Sequence, residues 1–394
     1  MASPGIAAPA RPSFVNDATV RAIFYQALTF ALVAGGIWYL VSNTITNMST
    51  RGMSAGFDFL PVSAGFNIGF TLVPYKEGDS YFRVFQVGLA NTLLVAVIGV
   101  VFSTILGLLV GLARLSTNWL IRTLARWYVE ILRNTPLLLQ IIAWYFGVFN
   151  LLPRPRESIG WSGLFFLNNR GFYFPAPLAQ DGFGLTLAAI AAGVVGAFLL
   201  SRWARKRFEA TGQAFPAGLA GTALVLGLPV LVFLATGQPL GWDIPVLRGF
   251  NFAGGLSVPP SFCALIVALS IYTSCFIAEI VRAGIQSVSH GQTEAARALG
   301  VKPSRTMRFI ILPQALRVII PPLISQYLNL TKNSSLAIAI GFPDLVSVWM
   351  NTSLNQSGRA IPIVAMTMAF YCAVSLAVSM VMNVYNRRYQ LTER

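Results

Sequence analysis

The stretch that decides the fold is TEAARALGVKPSRTMRFIILP, residues 293–313. Ser289 and Gln292, just before it, form the S-x-x-Q pattern of a capping box and predict a short helix that runs on to Leu299. Gly300 suits the left-handed backbone just past a helix end, and Pro303 suits the first turn of a following helix. The sequence therefore predicts a knob at 289–313, two helices and a tight turn that fit a groove on a soluble partner. The alternative is an ordinary amphipathic loop between two membrane spans.

The chain on either side of this knob has the composition of a polytopic membrane protein. Of its 394 residues, 55% are hydrophobic and only 10% are charged, unlike a soluble domain of this length. A helix that crosses a hydrocarbon core of about 30 Å needs about 17 to 25 apolar residues. We predict an all-α protein with eight such spans, at about 22–42, 86–113, 134–152, 184–200, 217–236, 260–281, 318–341 and 361–385.

The net charge of +15 is distributed as an orientation signal. With the amino terminus placed in the cytoplasm, 19 of the 28 Lys and Arg residues fall in the five predicted cytoplasmic segments and 8 in the four outer loops. This bias follows the positive-inside rule, so we predict both termini in the cytoplasm and no nucleic-acid partner. Membrane lipids are the expected partners of basic clusters such as Arg202, Arg205, Lys206 and Arg207.

The knob pattern, E-A-A then Gly then I-x-L-P, resembles the E-A-A loop in permease subunits of bacterial ABC importers. The residues that carry it are Glu294, Ala295, Ala296, Gly300, Ile310, Leu312 and Pro313. Four other segments are similar to the polar amino-acid permeases, closest to the first permease subunit of the general L-amino-acid or the glutamate/glutamine/aspartate/asparagine system. These segments are 88–93, 130–140, 278–285 and 332–336.

This resemblance implies a transport function and a set of partners. Its family members import polar L-amino acids from the periplasm across the bacterial inner membrane, and the E-A-A loop couples them to ATP hydrolysis. The expected partners are a second homologous permease subunit, two ABC ATPase subunits that bind ATP and Mg, and a periplasmic amino-acid-binding protein. The resemblance also implies a five-helix permease core.

The implied core divides the chain into segments. We expect a cytoplasmic tail at 1–21, an extra span with a periplasmic loop at 22–85, core segments at 86–152 and 259–390, and an insertion with two extra spans at 153–258. The insertion's Gly- and Ala-rich spans either pack closely, on the core or on a sister subunit, or face lipid. The segment 114–133 predicts an interfacial amphipathic helix.

No sequence pattern indicates an enzyme. The phosphate-binding string G-x-x-x-x-G-K-[S/T] does not occur in the sequence, so ATP hydrolysis is assigned to the partners. Cys263, Cys275 and Cys372 lie in predicted spans at no metal-ligand spacing, and His290 is the one histidine, so neither a cofactor nor a metal site is predicted in this subunit. A secondary transporter or channel for small polar solutes is the alternative function. Such proteins use ionisable residues inside spans, and Lys332 is the one deep candidate here.

The most polar cluster predicted at membrane depth surrounds Lys332. An unpaired ammonium at that depth is costly, so it must meet a carboxylate, carbonyl groups or water. Two interpretations stay open: Lys332 satisfies helix-end carbonyls or snorkels, or it lines a translocation path and attracts the α-carboxylate of a passing amino acid. The candidate path residues are Asn91, Thr92, Gln140, Asn329, Lys332, Asn333 and Ser334.

Overall fold

The computed structural model describes residues 18–50 and 56–389. Residues 1–17 of the predicted tail lie outside this part, and so does residue 390, the last residue of the predicted core. Residues 18–21, also assigned to the tail, already belong to the first helix. This helix runs from Ala18 to Thr50 and is longer than the predicted span at 22–42.

The described chain is mainly helical. Its α-helices are α1 (Ala18–Thr50), α2 (Tyr81–Arg114), α3 (Trp119–Asn134), α4 (Leu137–Gly147), α5 (Phe183–Thr211), α6 (Ala217–Ala235), α7 (Pro260–Gln286), α8 (His290–Ala298), α9 (Pro303–Thr306), α10 (Leu312–Asn333), α11 (Leu354–Ser357) and α12 (Ala360–Tyr389). Short 3-10 turns lie at Phe149–Leu151, Pro155–Glu157 and Ser334–Ile340, and π-helical turns at Met307–Ile311 and Leu345–Ser353.

Seven helical segments of the described chain are long and apolar enough to cross a membrane. They are Val20–Met48, Tyr81–Arg114, Phe183–Thr211, Ala217–Ala235, Pro260–Gln286, Pro303–Ile340 and Ala360–Val384. Each overlaps one of the eight predicted spans. The prediction of a helical, multi-pass membrane protein is therefore confirmed.

The remaining predicted span, at 134–152, is wrong as a single continuous helix. Its apolar residues form α4, which is 11 residues long, and a 3-10 turn. Pro136 disfavours a helical backbone at the residue before it, and Thr135 is extended, with φ −93° and ψ 127°. At 1.5 Å per residue α4 covers only about 17 Å, less than the thickness of a hydrocarbon core, about 30 Å. That this segment crosses the membrane stays a prediction.

Helix α3 confirms the amphipathic helix expected within 114–133. Asn118 caps it by accepting hydrogen bonds from the N–H groups of Leu120 and Ile121, at 2.9 and 3.2 Å. Its buried residues are Ala125 and Val129, and the hydroxyl oxygens of Tyr128 and Ser274 on α7 lie 2.9 Å apart. One face of α3 thus packs on α7. Its position at a membrane interface stays a prediction.

Helix α7 forms the centre of the bundle, and α2 packs along it through glycines. A Cβ atom on Gly107 would lie 2.6 Å from Cβ of Ile277, and one on Gly111 would lie 2.9 Å from the Ala278 carbonyl oxygen. Only glycine permits so close an approach of two helices. Helices α3, α4 and α10 also pack on α7, and α12 packs on α10.

The outer loop before α2 covers one end of this bundle. The ring of Phe59 stacks on Trp349, with centroids 5.9 Å apart, and Arg359 at the start of α12 forms an ion pair with Asp58 at 3.1 Å. The loop is therefore attached to the π-helical turn Leu345–Ser353 by an apolar contact and to the start of α12 by a charged one.

The insertion at 153–258 contains β-strands that the sequence analysis did not predict. The strands are β1 (Ile159–Trp161), β2 (Phe165–Asn168), β3 (Gly171–Phe174), β4 (Ala176–Ala179), β5 (Leu240–Asp243), β6 (Val246–Arg248), β7 (Asn251–Ala253) and β8 (Leu256–Val258). One antiparallel sheet has the order β1-β2-β3-β8, and two ribbons pair β4 with β5 and β6 with β7. The two predicted outer loops thus fold together.

The two extra helices of the insertion, α5 and α6, pack mainly on each other. A Cβ atom on Gly193 would lie 2.7 Å from the Leu224 carbonyl oxygen, and one on Gly221 would lie 3.4 Å from Cβ of Ala197. Their small residues are therefore used within this hairpin. What covers its outer faces stays a prediction.

Candidate functional site

The turn of the knob has the predicted glycine geometry. Gly300 has φ +68°, the left-handed region that a residue without Cβ adopts at low cost. The Val301 N–H donates to the Ala296 carbonyl at 3.0 Å and the Gly300 N–H donates to the Arg297 carbonyl at 2.9 Å. This pair of bonds is a Schellman motif, which satisfies the last carbonyls of α8.

The start of α8 differs from the predicted capping box. Ser289 does occupy the N-cap position, but its side chain makes no capping hydrogen bond, so the reciprocal Ser289–Gln292 arrangement is wrong. The helix begins at His290, directly after this N-cap, and the imidazole Nδ1 of His290 lies 3.0 Å from Oε1 of Glu294. Both side chains are largely exposed. Glu294 therefore contacts its own helix one turn back and leaves most of its surface accessible.

The knob exposes both apolar and basic side chains. Leu299 is 82% exposed, Phe309 67% and Met307 44%. The cations near them in the sequence are also exposed: Arg297, Lys302, Arg305 and Arg308, whose guanidinium lies over the Phe309 ring. An exposed apolar patch rimmed by polar groups marks an interaction site. Its chemistry fits a groove with an apolar floor and acidic edges.

The base of the knob is anchored in the bundle. Lys302 precedes α9, which has Pro303 in its first turn as predicted, and the chain continues through the π-helical turn into α10. Gly284 near the end of α7 lies so close to Ile319 on α10 that a Cβ atom would overlap it. The two helices that carry the knob thus touch each other directly.

The other knob residues divide between base and surface. Ala296 is buried and Ile310 is half-buried, so these two hold the knob together. Ala295, Leu312 and Pro313 are exposed. The E-A-A pattern therefore contributes one packing residue, Ala296, and presents Glu294 and Ala295 outward.

Lys332 lies near the middle of the bundle's depth. A Cβ atom on Gly99, close to the midpoint of α2, would lie 3.1 Å from the Leu330 side chain, and Lys332 follows Leu330 by about 3 Å along the helix. The Lys332 side chain is exposed, and among the described residues it has no hydrogen-bond or ion-pair partner. Asn329 is also exposed and Asn333 is half-buried, whereas the Ser334 hydroxyl donates to the Thr331 carbonyl at 2.8 Å.

Asn91 and Thr92 are fully buried and bind backbone groups. The Asn91 amide donates to the carbonyls of Phe70 and Pro343, at 3.0 and 2.8 Å, and accepts from the Leu72 N–H at 3.3 Å. The Thr92 hydroxyl accepts from the Leu345 N–H at 3.0 Å. In this conformation Asn91 holds the outer loop against α2, and Asn91 and Thr92 together hold the segment that follows the 3-10 turn Ser334–Ile340. A role in the substrate path stays a prediction.

Gln140 bridges the break between α3 and α4. Its amide N–H groups donate to the carbonyls of Leu132 and Thr135, at 2.8 and 3.1 Å. Its oxygen Oε1 is buried, and no donor in the described chain reaches it. Helix α4 packs against the 3-10 turn Ser334–Ile340, which follows the helix that carries Lys332. No side-chain hydrogen bond within the described residues joins any of the seven candidate path residues to another.

The sequence analysis missed Asp344, a fully buried carboxyl outside the candidate spans. Its Oδ1 accepts from the Ser347 N–H at 2.9 Å and caps the π-helical turn, while no donor in the described residues reaches Oδ2. Burial raises the pKa of Asp344 to about 7. An Asp just before a helical segment is a recognisable N-cap signal, so its sequence position indicated the cap but not the burial.

Known proteins share this sequence over nearly its whole length. The family model of the binding-protein-dependent transport system inner membrane component matches residues 103–391. The putative amino-acid ABC transporter permease protein YhdX of Escherichia coli is 51% identical over 97% of each chain. The general L-amino acid transport system permease protein AapQ of Rhizobium johnstonii is 50% identical, over 97% of this chain and 95% of its own.

A third relative is named for four amino acids. The glutamate/glutamine/aspartate/asparagine transport system permease protein BztB of Rhodobacter capsulatus is 40% identical over 96% of each chain. The family match includes the knob, the bundle around α7 and the insertion. The chain therefore belongs to the family of binding-protein-dependent transport system inner membrane components, as a multi-pass permease subunit of an ABC importer.

Proposed function

We propose that this chain carries polar L-amino acids from the periplasm to the cytoplasm, driven by ATP hydrolysis in partner subunits that dock on the knob. The observation that carries this proposal is the set of exposed apolar side chains on the knob, held by the Gly300 turn on the directly packed pair α7 and α10. The three relatives are named as amino-acid permeases, which supports amino acids as the substrate class.

The proposed assembly contains a second homologous permease subunit, two ABC ATPase subunits that bind ATP and Mg, and a periplasmic amino-acid-binding protein. Closure of the ATPase pair displaces the knob. Because α8 connects to α7 and α10 over short segments, that displacement reaches the bundle as a rigid-body movement between inward-open and outward-open states.

The orientation proposed is the one with both termini and the knob in the cytoplasm. The excess of basic residues in the predicted cytoplasmic segments supports it. It places the sheets of the insertion and the loop before α2 on the periplasmic side.

The proposed path passes Lys332. An exposed ammonium near mid-depth needs contact with water or with a partner outside the described chain. A water-filled path beside the sister permease subunit supplies the water and the partner. There the ammonium attracts the α-carboxylate of the substrate. The Gln140 oxygen on α4, which no donor in the described chain reaches, is an acceptor that suits the α-ammonium group.

Uptake in proteoliposomes tests this function. The complex is purified with its ATPase subunits and reconstituted with the binding protein, and radiolabelled amino acids are supplied on the binding-protein side. We expect uptake that requires ATP inside the vesicle and the binding protein outside. Uptake driven by a proton or sodium gradient without ATP would instead establish a secondary transporter and refute the proposal.

A further inference from the structure

An ion-pair cluster joins α2 and α7 at their cytoplasmic ends. The carboxylate of Glu279 accepts hydrogen bonds from the guanidinium groups of Arg114, the last residue of α2, and Arg282, one turn further along α7. Arg282 also donates to the side chain of Gln286. The side chains of Arg114, Glu279 and Arg282 are 15%, 30% and 29% exposed, so all three are largely withdrawn from solvent.

The cluster continues a contact that otherwise consists of glycine packing. Gly107 and Gly111 bring α2 against Ile277, Ala278 and Val281 on α7. Those residues flank Glu279 in the sequence, so the ion pair lies at the end of the same interface. Glycine packing fixes how close the helices lie, whereas a hydrogen-bonded ion pair also fixes their axial register, because its geometry fails when either helix slides.

The same cluster lies at the root of the knob. Gly284, where α7 touches Ile319 on α10, is five residues after Glu279, and α8 begins at His290. Movement of the knob therefore reaches α7 and α10 first. At this end of the bundle α2 meets α7 through the packing of Gly111 on Ala278 and Val281 and through the Arg114–Glu279 ion pair.

We infer that Arg114 and Glu279 are positioning residues for energy coupling: their ion pair locks α2 to the root of the knob, so that ATPase-driven displacement moves α2 with α7. This inference rests on the proposed function and adds a transmission element to it. Arg282 holds the second carboxylate oxygen, which keeps the Glu279 side chain aimed at α2. The cluster touches neither the exposed apolar side chains of the knob nor the candidate path residues in any described hydrogen bond.

Charge removal isolates this element. Glu279→Gln keeps the side-chain length and removes the ion pair, Arg114→Gln removes its partner, and the double variant removes both. The matched control is Glu209→Gln, which breaks the Arg205–Glu209 ion pair on α5, whose side chains are 83% and 62% exposed. Each complex is assayed in proteoliposomes for ATP hydrolysed per amino acid taken up, and for co-purification with the ATPase.

We expect Glu279→Gln and Arg114→Gln to raise the ATP used per amino acid at least about fivefold, the lower end of typical coupling effects, with the ATPase still bound. The double variant should be no worse than either single variant, since both remove the same interaction. Glu209→Gln should leave the ratio unchanged.

The inference is overturned if the ratio stays at the wild-type value in the single variants. It is also overturned if the variants lose assembly while the molecules that do assemble keep the wild-type ratio, because the cluster is then only structural. Either result leaves the proposed function intact as long as wild-type uptake requires ATP. Failure of wild-type ATP-dependent uptake would refute the proposed function itself.

Discussion

Gly300→Val tests whether the knob couples ATP hydrolysis to transport. Gly300 has φ +68°, and a Cβ atom there would meet no atom within 4 Å. The substitution therefore costs only backbone strain, about 1 to 2 kcal/mol for an L residue in the left-handed region. That cost corresponds to a factor of about 5 to 30 in the ratio of the native turn to other conformations. We expect uptake to fall, by up to this factor, while the subunit still reaches the membrane.

The chain supplies a matched control in Gly212→Val. Gly212 ends α5 with φ +68°, and a Cβ atom there would also meet nothing within 4 Å. Both glycines lie in predicted cytoplasmic segments, so the two variants carry the same strain and differ only in the knob. Uptake and binding-protein-stimulated ATPase activity are measured in proteoliposomes for both. Equal losses in the two variants, or normal coupled activity in Gly300→Val, would refute the coupling assignment.

Three further predictions concern the path, the buried acid and the orientation. Lys332→Met keeps a long side chain without its charge, so uptake should fall for every amino-acid substrate while assembly and basal ATPase activity persist; unchanged uptake would make Lys332 idle. Since burial raises the pKa of Asp344 to about 7, the folded state binds more protons than the unfolded state between about pH 4 and 7, and stability falls as pH rises through that window. Asp344→Asn keeps the cap but has no titrating carboxyl, so between pH 5 and 8 the apparent Tm of the variant should fall less than that of the wild type. Parallel curves of Tm against pH for the two proteins would contradict the burial of a titrating carboxyl. Cysteines placed at Gly160 and Gly241 should react with an impermeant thiol reagent added from the periplasm, and one at Ser304 should not; labelling of Ser304 from that side would reverse the proposed orientation.

The knob was largely predictable because its determinants are local. A glycine at a helix end and a proline three residues later specify the turn through their own backbone preferences, and Gly300 and Pro303 take the expected positions. The Ser289–Gln292 pattern placed the N-cap correctly, but its side-chain bonds do not form, because on an exposed helix water serves the same N–H groups.

Features that depend on distant residues were not predictable in this way. The strands of the insertion are three or four residues long, too short for a periodic signal, and β3 pairs with a strand more than 80 residues later. Asn91 was predicted to be a path residue because it is a polar residue in one of the family-like segments. Its hydrogen bonds to Phe70 and Pro343, on opposite sides of it in the chain, are visible only in three dimensions.

The pairing of β3 with β8 also bears on how this chain tolerates changes of length. Phe172 lies opposite Val258 and Phe174 opposite Leu256. The end of the insertion is therefore held beside its beginning, just before α7 starts at Pro260. Once two ends are held together, an added or deleted stretch between them costs only the slowly growing entropy of a larger or smaller loop. The stretch from 175 to 255 is therefore where homologues can gain or lose whole hairpins without shifting α4 against α7.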